Sequence, residues 1–158
     1  KVLCTMTRVL LLSFVYILSV EAEFLTKKLC KDENASNCNV YNVLLDPCSS
    51  APNFCMLKSN KPYTLTVDMQ PLFPLSKLQL AMYGDVTNTG RFDKELKAST
   101  NACALLTCPI AAATRQIFDV DFTVEKAFSK NKFPVKVKMW DEDDASKICC
   151  FTFNVKVK

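Results

Sequence analysis

Apolar residues alternate with polar ones in five separate runs of this chain, and this alternation limits the folds that the chain can adopt. The first run, residues 63–69, reads Tyr-Thr-Leu-Thr-Val-Asp-Met. Successive side chains of a β-strand point to opposite faces, so such a run buries one face and leaves the other in water. The apolar members of the five runs are Tyr63, Leu65, Val67 and Met69; Leu78, Leu80 and Met82; Phe118, Val120, Phe122 and Val124; Val135, Val137 and Met139; and Phe151, Phe153, Val155 and Val157.

The five runs predict an all-β fold, an antiparallel β-sandwich in which the apolar faces bury one another. Turn-forming residues such as Asn60-Lys61-Pro62 separate the runs, and no 12-residue window carries a convincing helical stripe. The inward positions are rich in phenylalanine, of which the chain has 11, and only 2 glycines occur. Large rings can fill a core or hold two sheets apart around a cavity; the alternation alone favours the filled core.

The first 22 residues predict a signal peptide rather than part of the fold. Arg8 precedes the unbroken apolar run at 9–20, and Val20-Glu21-Ala22 supplies small residues at the spacing of a cleavage site. Met6 is the expected initiator, which makes residues 1–5 upstream sequence. Residues 23–158 then form a single domain, which we expect outside the cytosol: secreted and extracellular, or in the endosome–lysosome lumen.

Eight cysteines follow the predicted signal peptide, and an even number in a secreted chain is typical of disulfides. A zinc site is disfavoured because the chain has no histidine and no Cys-x-x-Cys pair. The spacing alone leaves 105 pairings open. The cysteines are Cys30, Cys38, Cys48, Cys55, Cys103, Cys108, Cys149 and Cys150.

Charge and composition exclude several functions. The net charge of +4 is too small to indicate a nucleic-acid partner, and the lysines are spread along the strand-like segments, which indicates a solvated surface. Without histidine there is no Ser-His or Cys-His nucleophile pair, so we expect no enzyme, no metal and no cofactor. The acidic run at 141–144 is interpreted as a solvated hairpin turn rather than an acid–base or calcium site.

Four segments, in this order and spacing, resemble the ML lipid-recognition family, which includes the Niemann-Pick type C secreted sterol carrier and the group-two mite allergens. They are VLLDPCSSAPNFC at 43–55, NACALLTCPI at 101–110, FPVKVKMW at 133–140 and KICCFTFNVKV at 147–157. The resemblance covers essentially the whole of residues 30–158. It implies an immunoglobulin-like sandwich with an apolar cavity between the sheets. It also implies the disulfides Cys48–Cys55, Cys103–Cys108 and Cys30–Cys150, and Cys38–Cys149 is the expected fourth, with swapped partners as the alternative.

The resemblance further implies a set of lipid-binding residues. Strict alternation, however, places Trp140 on the same face as Lys136 and Lys138, so either a β-bulge intervenes or Trp140 lies outside the pocket. Plain core packing is the alternative role for each of these residues. The expected lining is Val67, Leu80, Phe92, Phe118, Val120, Phe122, Val124, Phe133, Pro134, Val135, Trp140 and Phe151.

The function implied is that of a monomeric lipid-binding and transfer protein that holds a sterol, a fatty acid or a phospholipid tail and makes transient contact with membranes. The alternative is a lipid-presenting protein of innate immune recognition, with the same fold and pocket. One modification is expected from the sequence itself, because Asn34-Ala35-Ser36 is an N-glycosylation sequon.

Overall fold

The computed structural model describes residues 22–31, 37–51, 53–128 and 132–158. The predicted signal peptide, apart from Ala22, and the sequon at Asn34 lie outside the described residues. In the described part of the chain no helix is long and apolar enough to cross a membrane.

Eleven strands and one short 3-10 helix make up the described structure. The strands are β1 (Glu23–Phe24), β2 (Lys27–Leu29), β3 (Cys38–Asp46), β4 (Ser49–Ala51), β5 (Phe54–Leu57), β6 (Pro62–Pro71), β7 (Leu78–Gly84), β8 (Lys94–Asn101), β9 (Gln116–Thr123), β10 (Lys132–Asp141) and β11 (Ile148–Val157), with the 3-10 helix at Ala102–Ala104 after β8.

The strands form two sheets. The smaller sheet has the order β1-β3-β6-β9, and the larger has the order β4-β5-β11-β10-β7-β8 with β2 paired to the first part of β11. The pairs are antiparallel except for β5 with β11, which run parallel. The predicted all-β sandwich is confirmed, and apart from Val124, just after β9, the five alternating runs lie in strands of these two sheets.

The core lies between the sheets, and the alternation decides which side chains enter it. On β6, Leu65 and Val67 are fully buried, whereas Thr64 and Thr66 face outward and donate hydrogen bonds to the carboxylates of neighbouring β9. On β10 and β11 every second residue is likewise buried. Burial of one apolar face per sheet provides the main stabilisation of such a fold.

The eight cysteines form four disulfides: Cys30–Cys150, Cys38–Cys149, Cys48–Cys55 and Cys103–Cys108. Three of these pairs are the ones that the resemblance implied, and Cys38–Cys149 is the expected fourth. The neighbours Cys149 and Cys150 reach different partners because adjacent strand residues point to opposite faces. Cys149 crosses the core to Cys38 of the smaller sheet, whereas Cys150 joins the chain just after β2, which pairs with β11 in the same sheet.

One end of the sandwich, called the closed end below, is held by several different bonds. The Cys38–Cys149 disulfide joins the first residue of β3 to the second residue of β11 there. Next to it, the carboxylate of Asp141 accepts hydrogen bonds from the backbone N–H groups of Ser76, at 2.7 Å, and Asp143, at 2.9 Å. These bonds tie the connection between β6 and β7 to the turn between β10 and β11.

The acidic run is therefore only partly solvated, because Asp141 is fully buried. Burial alone would raise the pKa of this carboxyl, but the backbone N–H groups of Ser76 and Asp143 and the Ser76 hydroxyl together hold the pKa below its usual value. The expectation of a solvated turn is thus wrong for Asp141 and holds for Glu142 and Asp143, which are exposed.

Candidate functional site

Nine of the twelve expected lining residues lie together between the sheets. Each of the nine is exposed by 6% or less, and eight of them come from five strands, two in the smaller sheet and three in the larger. All nine belong to one continuous cluster of buried side chains. They are Val67 of β6, Phe118, Val120 and Phe122 of β9, Val124 just after β9, Leu80 of β7, Phe133 and Val135 of β10, and Phe151 of β11.

The other three expected lining residues lie on the outer face of the larger sheet. The continuous pairing of β10 with β11 from Lys132 to Trp140 shows no bulge, so Trp140 faces outward, with the Lys138 ammonium 5.7 Å from its ring centroid. The Lys136 ammonium lies over the Phe92 ring, 4.6 Å from its centroid. Pro134 alternates with the buried Phe133 and borders two surface grooves. These three residues therefore lie outside the buried layer that the other nine form.

Phe133 is packed directly against the backbone of the neighbouring strand β7. A Cβ atom placed on Gly84 would lie 2.9 Å from Cε2 of Phe133 and 2.9 Å from Cδ1 of Leu96. A side chain larger than hydrogen therefore does not fit at Gly84 unless Phe133 or Leu96 moves. In this state the phenylalanine rings fill the space between the sheets at this end.

Away from the closed end, a groove of about 300 Å³ opens at one corner of the sandwich. The connection between β7 and β8 forms one wall, and the connection after β9 forms the other. We call it the corner groove; it is lined by Val86, Thr87, Lys94, Glu95, Glu125, Ala127 and Phe128.

At the corner groove, two aromatic rings separate solvent from the interior. Phe128 lines the groove, and its ring stacks on Phe133 with centroids 5.9 Å apart and planes inclined by 27°. Phe133 is fully buried among the nine lining residues. A molecule that enters the interior here therefore has to displace Phe128 and then Phe133.

Sequence reasoning missed Phe128 because it lies outside the alternating runs. It follows β9 in a turn in which its backbone N–H donates to the carbonyl of Glu125 at 3.2 Å. The only local sign was a large aromatic residue placed between the end of a strand and a polar turn, where exposed residues are the rule.

The wall of the corner groove that belongs to the larger sheet is held in shape by Asp85. This buried carboxylate accepts hydrogen bonds from the backbone N–H of Thr89, at 3.0 Å, and of Gly90, at 2.6 Å. Gly90 has a φ of 85°, a left-handed conformation that glycine adopts without steric cost. The Asn88 side chain also donates to the carbonyl of Lys132 at 3.0 Å, which ties this loop to β10.

The disulfides are absent from the strands beside the corner groove. β8 and β9 form the free edges of the two sheets on this side, and neither strand contains a half-cystine. β8 and β9 are linked by a hydrogen bond of 2.7 Å, which the Lys97 ammonium of β8 donates to the carbonyl of Asp121 of β9. The sandwich is thus cross-linked at the closed end and joined only non-covalently along the edge that leads to Phe128.

Comparison with known proteins identifies one family and a relative that is similar in sequence. A family model described as the ML domain matches residues 19–157. An MD-2-related lipid-recognition protein from Manduca sexta is 29% identical over 132 residues, covering 82% of each chain.

Two solved structures are among those that match this chain. A Niemann-Pick type C2 protein from Japanese carpenter ant is 14% identical with a TM-score of 0.59, covering 87% of this chain and 99% of that one. Chicken MD-1 complexed with lipid IVa is 14% identical with a TM-score of 0.48, covering 86% and 98%. At this level of identity the match to the ant protein establishes a shared fold.

Proposed function

This chain belongs to the ML domain family, which includes lipid-recognition proteins, and on that premise we propose that it is a secreted carrier that holds the apolar part of a lipid between its two sheets. The family resemblance found in the sequence is confirmed by the match over residues 19–157. The ligand we propose is a sterol, a fatty acid or the tail of a phospholipid.

The observation that carries this proposal is the position of Phe128 in front of the buried apolar layer. The two sheets offer a continuous apolar interior, and at the corner groove the Phe128 and Phe133 rings lie between it and solvent. Movement of two rings is a smaller change than separation of whole strands, whose backbone hydrogen bonds would have to break.

The driving force is the transfer of apolar surface out of water. A lipid tail that buries about 300 Å² of apolar surface would gain about 7–8 kcal/mol. Displacement of the two phenylalanine rings and ordering of the tail oppose part of that gain. The disulfides at the closed end keep the remaining strands in register while the corner opens, which limits the cost of opening to the rings and their neighbours.

A free carrier is favoured over a receptor-bound recognition protein by the distribution of exposed apolar side chains. A receptor-binding surface would present several of them in one patch. The two most exposed, Phe24 at 67% and Ile117 at 64%, lie on β1 and β9, which are the opposite edges of the smaller sheet. They therefore do not belong to a common patch.

The decisive experiment is native mass spectrometry of the secreted, oxidised protein, followed by organic extraction and identification of the bound lipid. We expect one lipid per chain. A protein that is isolated empty, and stays empty after incubation with sterols, fatty acids and phospholipids, would contradict the proposal and leave the phenylalanines as ordinary core residues.

A pair of substitutions on one strand tests the position of the ligand. Val120→Phe adds bulk to the buried face of β9, whereas Ile117→Phe adds bulk to its exposed face. We expect Val120→Phe to weaken lipid binding by about tenfold or more and to cost about 1–3 kcal/mol of stability. Ile117→Phe should change neither, and circular dichroism checks that both variants are folded.

A further inference from the structure

The two sheets carry opposite charge, although the net charge of the chain is only +4. Strands β2, β11, β10 and β7 are neighbours in the larger sheet and contain six lysines and one carboxylate, the buried Asp141. The lysines are Lys27, Lys28, Lys132, Lys136, Lys138 and Lys156. The strands of the smaller sheet contain no lysine or arginine and five carboxylates: Glu23, Asp46, Asp68, Asp119 and Asp121.

The lysines that are spread along the sequence come together in the fold. Five of the six lysines lie on the outer face of the larger sheet, where strand pairing brings them side by side; Lys27 instead donates to the Tyr41 carbonyl of the smaller sheet at 2.7 Å. Lys136 lies opposite Thr152, and Thr152 lies opposite Lys28 on its other side. We call this outer surface, with Lys28, Lys132, Lys136, Lys138 and Lys156, the basic face.

Part of the basic face is electrostatically unfavourable for the protein alone. Lys132 and Lys156 are directly opposed across β10 and β11. Like charges in directly opposed positions of neighbouring strands lower stability. Such an arrangement is relieved when a negatively charged partner lies over the two ammonium groups.

Aromatic rings hold three of these lysines close to the sheet. The ammonium groups of Lys132 and Lys136 each lie 4.6 Å from a ring centroid, of Phe54 and Phe92 respectively. Lys138 lies 5.7 Å from the Trp140 ring. A cation over an aromatic face is attracted to it, so these side chains lose less freedom on binding an anion than lysines that extend into water.

The basic face is concave rather than flat. A groove of about 310 Å³ crosses it, with Lys28 and Lys31 at one wall and Lys136 at the other. Its lining also includes Leu29, Cys30, Phe92, Pro134 and Thr152. The lining thus combines cations on both sides with a hydroxyl group and apolar surface, a chemistry that suits a chain of anionic sugars.

We propose that the basic face binds a sulfated polysaccharide, with the chain lying in this groove and its sulfate groups paired with the surrounding lysines. A linear polyanion gains affinity when such a row of lysines displaces its bound counterions into solution. An anionic bilayer fits less well, because membrane-bound surfaces insert protruding apolar side chains. Here Phe92 and Trp140 are partly buried, and Leu29, at 47%, is the most exposed large apolar side chain of the groove lining.

The test measures binding of a heparin octasaccharide to the full oxidised chain by calorimetry at several salt concentrations. The double variant Lys28→Gln with Lys136→Gln removes one cation from each wall of the groove. We expect its affinity to fall about tenfold or more, and the slope of log affinity against log salt to decrease by about two.

The matched control is the double variant Lys58→Gln with Lys61→Gln, which removes the same charge from the exposed connection between β5 and β6. We expect its affinity for heparin to stay within about twofold of wild type. Equal losses in both double variants would show that net charge alone attracts the oligosaccharide and would overturn the proposal. Absence of heparin binding at physiological salt would overturn it as well.

Two further measurements separate this proposal from its alternatives. Vesicles of anionic phospholipid, tested with the same variants, would identify a membrane surface as the partner if they bind through Lys28 and Lys136 while heparin does not. Lipid content by native mass spectrometry should be equal in wild type and in both double variants, because these lysines lie outside the apolar interior. Failure of lipid binding would therefore leave the polysaccharide proposal intact. Failure of heparin binding would likewise leave the lipid-carrier proposal intact.

Discussion

Phe128 stacks on Phe133 at the corner where neither sheet edge carries a disulfide, with the ring centroids 5.9 Å apart. Phe133 in turn packs against the backbone of Gly84. A movement of Phe128 therefore frees Phe133, and a movement of Phe133 frees space between the sheets. This pair is where the proposed carrier would admit its ligand.

Replacement of Phe128 by alanine should speed lipid uptake while it lowers stability. The substitution removes a buried ring, which typically costs about 3–5 kcal/mol, and leaves only Phe133 between the groove and the interior. Stopped-flow measurements with a fluorescent fatty acid give the uptake rate, and urea denaturation gives the stability. The control is Phe151→Ala, which removes a fully buried ring from the middle of the larger sheet. Equal acceleration by both substitutions would show that uptake follows overall loosening and not the corner groove.

Substitution of Trp140 should not change the affinity for lipid. It lies on the outer face beside Lys138, so Trp140→Phe is expected to leave lipid affinity within about twofold of wild type. Because it is the single tryptophan of the chain, its fluorescence reports on this face alone. We expect the emission to change when heparin binds and to stay constant when lipid enters. A tenfold loss of lipid affinity in Trp140→Phe would contradict the outward position.

The two long-range disulfides should stabilise the fold non-additively. Cys30–Cys150 and Cys38–Cys149 span 120 and 111 residues, and one loop lies inside the other. While either bridge remains, the unfolded chain keeps one large closed loop, so replacing one pair by alanine should lower the free energy of unfolding by about 2–3 kcal/mol. Replacing both pairs should lower it by about 7 kcal/mol, which is more than the sum of the two single losses. Urea denaturation of the three variants measures the difference.

Cys103–Cys108 provides the additive reference for that experiment. It spans 5 residues and closes a separate small loop, so its removal should add to the loss of either long-range bridge without coupling. Simple additivity of the two long-range bridges would show that local packing, rather than loop closure, determines their contribution.

The ion pair between Asp68 and Arg115 should make stability depend on pH in acid. Asp68 is 4% exposed, and Arg115 donates to both of its carboxylate oxygens, at 2.7 and 2.6 Å. The hydrogen bonds from Arg115 hold the pKa of Asp68 below its ordinary value of 3.8. A carboxyl whose pKa is lowered by folding stabilises the protein above its unfolded pKa, and that stability is lost as the pH falls through the folded pKa.

Arg115→Gln should therefore destabilise the protein at neutral pH and much less in strong acid. Since the Arg115 side chain is 56% exposed, we expect a loss of about 1 kcal/mol near pH 7, shrinking as Asp68 becomes protonated below its ordinary pKa of 3.8. Thermal unfolding of wild type and variant near pH 7 and pH 2.5 gives the comparison. Lys77→Gln, which removes an exposed ion pair with Asp143, is the control and should have little effect at either pH. An Arg115→Gln effect that is the same at both pH values would rule out this ion pair as its origin.

Much of this architecture was predictable because its determinants are local. Alternation within a strand is a property of the extended backbone, so the inward faces of β6, β9, β10 and β11 follow from sequence alone. The same rule placed Trp140 beside Lys136 and Lys138, against the pocket role that the family resemblance implied, and the structure agrees with the alternation. The eight cysteines indicated disulfides, while the pairing of three bridges came from the resemblance and Cys38–Cys149 was expected from the two cysteines that remained.

Other features depend on which strands become neighbours, and no local pattern contains that information. Phe128 is buried because the connection after β9 folds back onto Phe133 of β10. Asp141 is buried because the connection between β6 and β7 reaches it from 65 residues away.

The sequence by itself determined the five alternating strands, their buried faces and the family, because side-chain alternation and the spacing of the motifs are properties of the chain itself. Only the tertiary structure decided where the charge lies. Lys28 and Lys136 are far apart in sequence and look scattered, yet both flank Thr152, because β2 and β10 pair with opposite edges of β11. Strand order converts a weakly basic chain into a protein with one basic face and one acidic face.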